Sequence, residues 1–130
     1  MVKVLFVCLG NICRSPMAEF VFRNMLQKQN LSDACLVASA GTSSEEAGNP
    51  VHRGTAAQLS MRNISCAGKR ARKIVRSDYS EYDYLVGMER RNLADMLSFF
   101  GGDLAHKLFR LLDFSESPRD ISDPWYTGDF

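Results

Sequence analysis

Cys8 and Arg14 are separated by Leu9-Gly10-Asn11-Ile12-Cys13 and followed by Ser15. A cysteine at one end of a short glycine-containing loop, with an arginine at the other, can form a thiolate nucleophile inside an anion cradle. The loop's backbone N–H groups would converge on one anion, and a helix beginning at its end would add its positive pole. The planar guanidinium of Arg14 would hold two anion oxygens at once, which a lysine cannot do. The same positive field favours the ionised sulfur, the form that attacks. The spacing alone is weak, because a buried structural cysteine followed by a surface arginine gives the same pair. The context strengthens it: a strand before, glycine and asparagine inside, and a helix start after.

The elements that must position this loop are legible on either side. Residues 2–7 form a nearly continuous apolar run, as expected of a strand buried on both faces. Gly10 and Asn11 break it. Ser15 reads as a helix N-cap with Pro16 at the first helical position. Apolar residues at 17, 18, 21, 22, 25 and 26 then trace one face of a helix. Further strands are expected over 35–40, 82–88 and 108–112. Helices are expected over 51–61, after a turn at Asn49-Pro50, and over 89–100, closed by Gly101-Gly102. Residues 115–129 read as a loop. Alternating strands and helices imply an α/β fold, a four-stranded parallel sheet with helices on both faces, in one domain over 1–130. In such sheets ligands bind beyond the carboxyl ends of the strands, where strand order reverses, which is where the Cys8 loop falls.

Bulk composition narrows the function classes. The 130 residues are 45% hydrophobic and 24% charged, enough for an ordinary core. A net charge of +1 gives no general pull toward nucleic acid or an anionic membrane, so any basic site is local. The N-terminal apolar run is too short for a signal-peptide core or a membrane span, and the chain reads as cytoplasmic. Cys8, Cys13, Cys35 and Cys66 are expected as thiols in a reducing compartment. They contain no C-x-x-C pair, and His52 and His106 lie far apart, so no structural metal is expected.

The segment V-C-L-G-N-I-C-R-S-P resembles the signature loop of the low-molecular-weight protein-tyrosine phosphatases. The similarity continues through Ala38-Ser39-Ala40-Gly41-Thr42-Ser43, Gly48-Asn49-Pro50, Arg70-Ala71-Arg72 and Asp123-Pro124-Trp125-Tyr126. The resemblance implies hydrolysis of phosphotyrosine through a cysteinyl-phosphate, with no metal and no cofactor. It makes Cys8 the nucleophile and Arg14 the ligand of the phosphoryl group. It makes Asp123 the acid that protonates the leaving phenolate and then activates water. The phosphate-binding loop is Leu9, Gly10, Asn11, Ile12, Cys13 and Ser15, with Ser15 donating to the cysteine sulfur. Asn11 and Ser39 hold the loop in shape, and Cys13 can pair reversibly with Cys8. Trp125 and Tyr126 would form one wall of a slot for a phenyl ring and Ile12 its floor. The implied partners are phosphotyrosine-containing proteins or peptides, with a phosphate or sulfate anion able to occupy the loop.

The chain departs from the family pattern in three places. Ser44-Glu45-Glu46 stands where many relatives carry an aromatic residue on the opposite wall, so Glu45 is expected to alter peptide preference. Lys69 replaces a histidine common near the loop, within a basic run that usually marks a solvated face. The usual C-terminal helix is not seen before Phe130, which would leave an apolar face open. Related activities are weighed on the same residues. An arsenate reductase needs further redox cysteines, and none follows Cys66. A protein arginine phosphatase tends to carry threonine where Ile12 stands. A non-catalytic phosphotyrosine-binding module would lack Cys8 or Asp123, and both are present.

Overall fold

In the computed structural model, which describes residues 1–130, β1 (Val2–Cys8) lies inside a four-stranded parallel sheet with β2 (Cys35–Gly41), β3 (Tyr84–Gly87) and β4 (Leu108–Arg110). The order is β2-β1-β3-β4. Strand order therefore reverses beside β1, and the crevice opens at its carboxyl end, at Cys8. The helices are α1 (Arg14–Lys28), α2 (Arg53–Ser60), α3 (Asp78–Glu81), α4 (Arg90–Phe100) and α5 (Pro124–Thr127). None is long and apolar enough to cross a membrane.

The period-2 alternation of β1 divides the core into two layers. Val4, Phe6 and Cys8 face α1, where they meet Ala18, Phe22 and Leu26. Leu5 and Val7 face the other side, packing with Leu85, Ile74 and Met96 of α4. Leu5, Val7, Leu85 and Met96 are fully buried, each large side chain contributing about 1.5–3 kcal/mol. The sheet thus carries helices on both faces, as the alternating pattern predicts. On the α1 side, Phe6, Tyr84, Phe22, Met25, Leu111 and Phe114 help line an apolar groove of about 560 Å³.

Several boundaries differ from expectation. α1 begins at Arg14, with Cys13 as its N-cap and no side-chain cap. Ser15 is therefore not the cap, because its hydroxyl is committed elsewhere, as described below. Pro16 still sits in the first turn, where its missing N–H costs nothing. The third strand starts later than residue 82 because Tyr82 closes α3, donating its N–H to the Asp78 carbonyl at 3.1 Å. The fourth ends at Arg110 because Asp113 folds back onto the Arg110 amide at 3.1 Å, turning Leu111–Phe114 into a 3₁₀ turn. The expected loop over 115–129 contains α5, capped by Asp123 with Pro124 at its first position. Gly101 ends α4 in the left-handed conformation, φ 77°, as its position suggests.

Candidate active site

The turn that follows β1 is held by one asparagine. Asn11 is buried in the left-handed region, φ 59°, which asparagine tolerates better than most residues. Its Nδ2 donates to Ser15 Oγ at 2.8 Å and to Ser39 Oγ at 3.0 Å, while its Oδ1 accepts from the Arg72 amide at 3.1 Å. Ser39 of β2 donates in turn to the buried carboxylate of Glu19 on α1. Gly41, paired with Cys8 across the sheet, lets the loop approach. A Cβ there would stand 2.7 Å from the Leu9 carbonyl oxygen.

Cys8 is buried, and two donors aim at its sulfur. The Asn11 N–H lies 3.3 Å from Sγ and the Ser15 hydroxyl 3.0 Å away. With Asn11 Nδ2 occupying a lone pair of Ser15 Oγ, the single hydroxyl proton goes to the nearer acceptor. That acceptor is the sulfur; the Ala40 carbonyl is 3.4 Å away. Cys13 shares the loop but not this environment. Burial, then the proximity of Cys8 and Asp123, pushes its thiol up to about 12 against the opposing effects of Thr55 and Arg14. Both cysteines are free thiols.

Arg14 is also buried, with its guanidinium fixed from the far side. Nη1 donates to the Ile121 carbonyl at 2.9 Å and lies 3.2 Å from Glu89 Oε2, while Nη2 lies 3.3 Å from Asp123 Oδ2. Nη1 thus donates to a backbone carbonyl beside the Glu89 carboxylate, and Nη2 donates to Asp123. The Nε proton makes no hydrogen bond within the protein, and a planar guanidinium so fixed can hold oxyanion oxygens.

The resulting cavity, about 130 Å³, is lined by Cys8, Leu9, Gly10, Ile12, Cys13, Arg14, Ser43, Glu45, Glu46, Asp123, Trp125 and Tyr126. The expected loop, acid and slot residues thus line one cavity, with Asn11, Ser15 and Ser39 buried behind it. Trp125 and Tyr126 are 58% and 78% exposed, so they are wall rather than core. Asp123 is half-buried, its Oδ1 accepting from the Trp125 N–H at 3.1 Å. Glu46 is held by Asn49 Nδ2 at 2.6 Å, and Glu45 is exposed.

The basic run after Gly68 is not simply a solvated face. Lys69 Nζ donates to the Ser39 carbonyl at 2.9 Å and lies 3.5 Å from Glu19. Burial lowers its pKa, and Glu19 opposes that shift. Arg23 also pairs with Glu19, at 2.6 Å. Arg72 grips Asp78 through two bonds of 3.0 and 3.1 Å. Lys69 therefore does support the loop, through Ser39 and Glu19. The sequence offered no sign of Glu19 or Glu89 at the site. Glu89 lies two residues beyond β3, at the same carboxyl end of the sheet as Cys8, a position that the topology could have flagged.

The model of the family described as low molecular weight phosphotyrosine protein phosphatase matches residues 3–130. The low molecular weight protein-tyrosine-phosphatase YfkJ of Bacillus subtilis is 42% identical over 132 residues, covering all of this chain and 85% of that protein. Its crystal structure superposes with a TM-score of 0.97, covering all of this chain and 83% of that one. The low molecular weight protein-tyrosine-phosphatase PtpA of Staphylococcus aureus is 43% identical, covering all of this chain and 82% of that protein. The crystal structure of a low molecular weight protein tyrosine phosphatase from Streptococcus pyogenes is 37% identical, with a TM-score of 0.89; the match covers all of this chain and 81% of that one.

Proposed function

Because the chain belongs to the low molecular weight protein-tyrosine phosphatases, we propose that it hydrolyses phosphotyrosine in proteins with Cys8, Arg14 and Asp123 as its catalytic residues. One observation carries this reading. A cysteine sulfur receiving two hydrogen bonds lies in the same small cavity as a fixed guanidinium and a carboxyl group.

The Cys8 thiolate attacks phosphorus, and the bond from phosphorus to the phenol oxygen breaks as the S–P bond forms. Asp123 gives its proton to the departing oxygen. Water then attacks the cysteinyl-phosphate and passes a proton to the Asp123 carboxylate. The S–P bond breaks, returning the thiolate and releasing inorganic phosphate. Arg14 and the loop amides hold the equatorial oxygens throughout, fixed in advance of the charge they stabilise. The acid is worth ~10²–10⁴ in rate when the leaving group is poor. Ile12 and the exposed ring of Trp125 favour a flat aryl group over a guanidinium.

Kinetics on phosphotyrosine, phosphoserine and phosphoarginine, with a chelator present, test the substrate class; phosphotyrosine is expected to dominate. Cys8→Ser should abolish turnover. Asp123→Ala should lower kcat strongly on phenyl phosphate and less on nitrophenyl phosphate, whose leaving group needs no proton. Equal losses on the two substrates would remove Asp123 from the acid role.

Glu45 and Glu46 line the mouth of the cavity and should favour substrates with basic flanking residues. An exposed charge pair contributes ~0.2–1 kcal/mol. Glu45→Lys should therefore shift the ratio of kcat/KM for lysine-flanked over glutamate-flanked phosphotyrosyl peptides by ~2–5-fold, less at high salt. An unchanged ratio would show that Glu45 does not read the flanks.

A further inference from the structure

The segment carrying Asp123 is tied down on both sides of that residue. Before it, the Ile121 amide donates to the Met88 carbonyl at 2.9 Å, and Arg14 holds the Ile121 carbonyl. After it, the chain passes through α5, turns at Gly128 in the left-handed conformation, and seats the ring of Phe130 against the phosphate loop. Phe130 packs on the small cluster of Ile12, Cys13 and Ala71. It also stacks on His52, with ring centroids 4.6 Å apart and planes 11° from parallel. His52 meets the ring of Trp125 edge-on at 5.6 Å, and its backbone N–H donates to the Ile12 carbonyl at 2.8 Å. His52 thus touches the anion loop through its backbone and the acid segment through its ring.

Gly54 explains how the ring fits. It lies in the first turn of α2, outside the left-handed region, so the backbone does not require glycine there. Alanine would be the better helix former. A Cβ on Gly54, however, would stand 2.6 Å from two carbons of the Phe130 ring, closer than real contacts allow.

We propose that Phe130 is a positioning residue for the reaction. Seated on Gly54 and stacked on His52, it pins the downstream end of the acid segment so that Asp123 and Trp125 stay registered on the phosphate loop. The inference rests on Asp123 being the acid, and it adds the anchor that keeps the acid in place. Small displacements of a reacting group are expensive, with ~1 Å able to cost on the order of 10²-fold.

The test uses the full chain and a series of aryl phosphates whose phenols differ in acidity. Gly54→Ala removes no polar group and touches no substrate, yet it evicts the ring. It should lower kcat/KM on phenyl phosphate by about tenfold, part of what the acid supplies. The effect on nitrophenyl phosphate should be much smaller, so the dependence on leaving-group acidity steepens. Competitive inhibition by inorganic phosphate should be unchanged, reporting an intact cradle. Phe130→Ala should do the same without depending on how α2 accepts a methyl group. In the Phe130→Ala background, Gly54→Ala should cost nothing further, because both act through one ring. A wild-type leaving-group dependence in Phe130→Ala overturns the proposal, as do additive losses in the double variant. Asp123→Ala run in parallel separates the two ideas. If it fails to steepen the dependence, the acid assignment is wrong; if it steepens it while Phe130→Ala does not, only the anchor is wrong.

Discussion

Two cysteines five residues apart have opposite surroundings, and single side chains account for the difference. Cys8 receives the Asn11 amide and the Ser15 hydroxyl. Cys13 is buried beside Cys8 and Asp123, and its thiol is pushed up to about 12. A group with so high a pKa is protonated throughout the neutral range, and the thiolate is the reactive form. Iodoacetate at pH 7 is therefore expected to carboxymethylate Cys8, with inorganic phosphate protecting it, and to leave Cys13 unmodified. Peptide mapping reads both, and carboxymethyl-Cys13 at a rate matching Cys8 would contradict the assignment. At this scale the sequence was legible where chemistry is local. Cys8, Arg14 and Asp123, singled out from the motif, line one cavity. Ser15 was misread as a cap because a serine before proline carries that signal. Only the fold shows that Asn11, Cys8 and Ala40 compete for its hydroxyl. Lys69 and Glu19 come from different elements, and no spacing along the chain announces their pairing.

Elements were legible where periodicity runs long. α1 and β1 followed their apolar patterns, and α4 stopped at its glycine. The short elements were missed although their signals were present. Asp123-Pro124 is an N-cap followed by proline at N1, yet four residues are too few to show a helical face. α3 is equally short, and its partner is distant. The Tyr79 hydroxyl donates to Asp103 at 2.6 Å, and the Lys107 and Leu108 amides donate to the same carboxylate at 2.7 and 3.3 Å, tying α3 to the turn before β4. Burial raises the Asp103 pKa, but these hydrogen bonds outweigh it, and the net shift is downward from 3.8. A carboxyl depressed in the fold contributes stability that is present above its unfolded value and is lost as pH falls through its folded one. Asp103→Asn should therefore have a lower thermal midpoint than the parent at pH 7. The gap should close as the pH drops below about 3.9, the ordinary aspartate value. A gap independent of pH would mean that the carboxylate charge contributes nothing.

At the scale of the molecule, the parallel sheet and its order β2-β1-β3-β4 put Cys8 at the point where the winding changes direction. Alternating element types were enough to predict a parallel sheet. They did not predict which strands flank β1, because that depends on long-range pairing. Those pairings have a bearing on biosynthesis. β1 precedes both of its neighbours in the chain, residues 35–41 on one side and 84–87 on the other. The loop after it then needs Arg72 to brace Asn11, Glu89 and Ile121 to fix Arg14, and Asp123 to complete the rim. A growing chain therefore carries the nucleophile before the residues that surround it have been made. The site is assembled only after residue 123 has emerged, so a chain stalled before that point carries Cys8 without its acid.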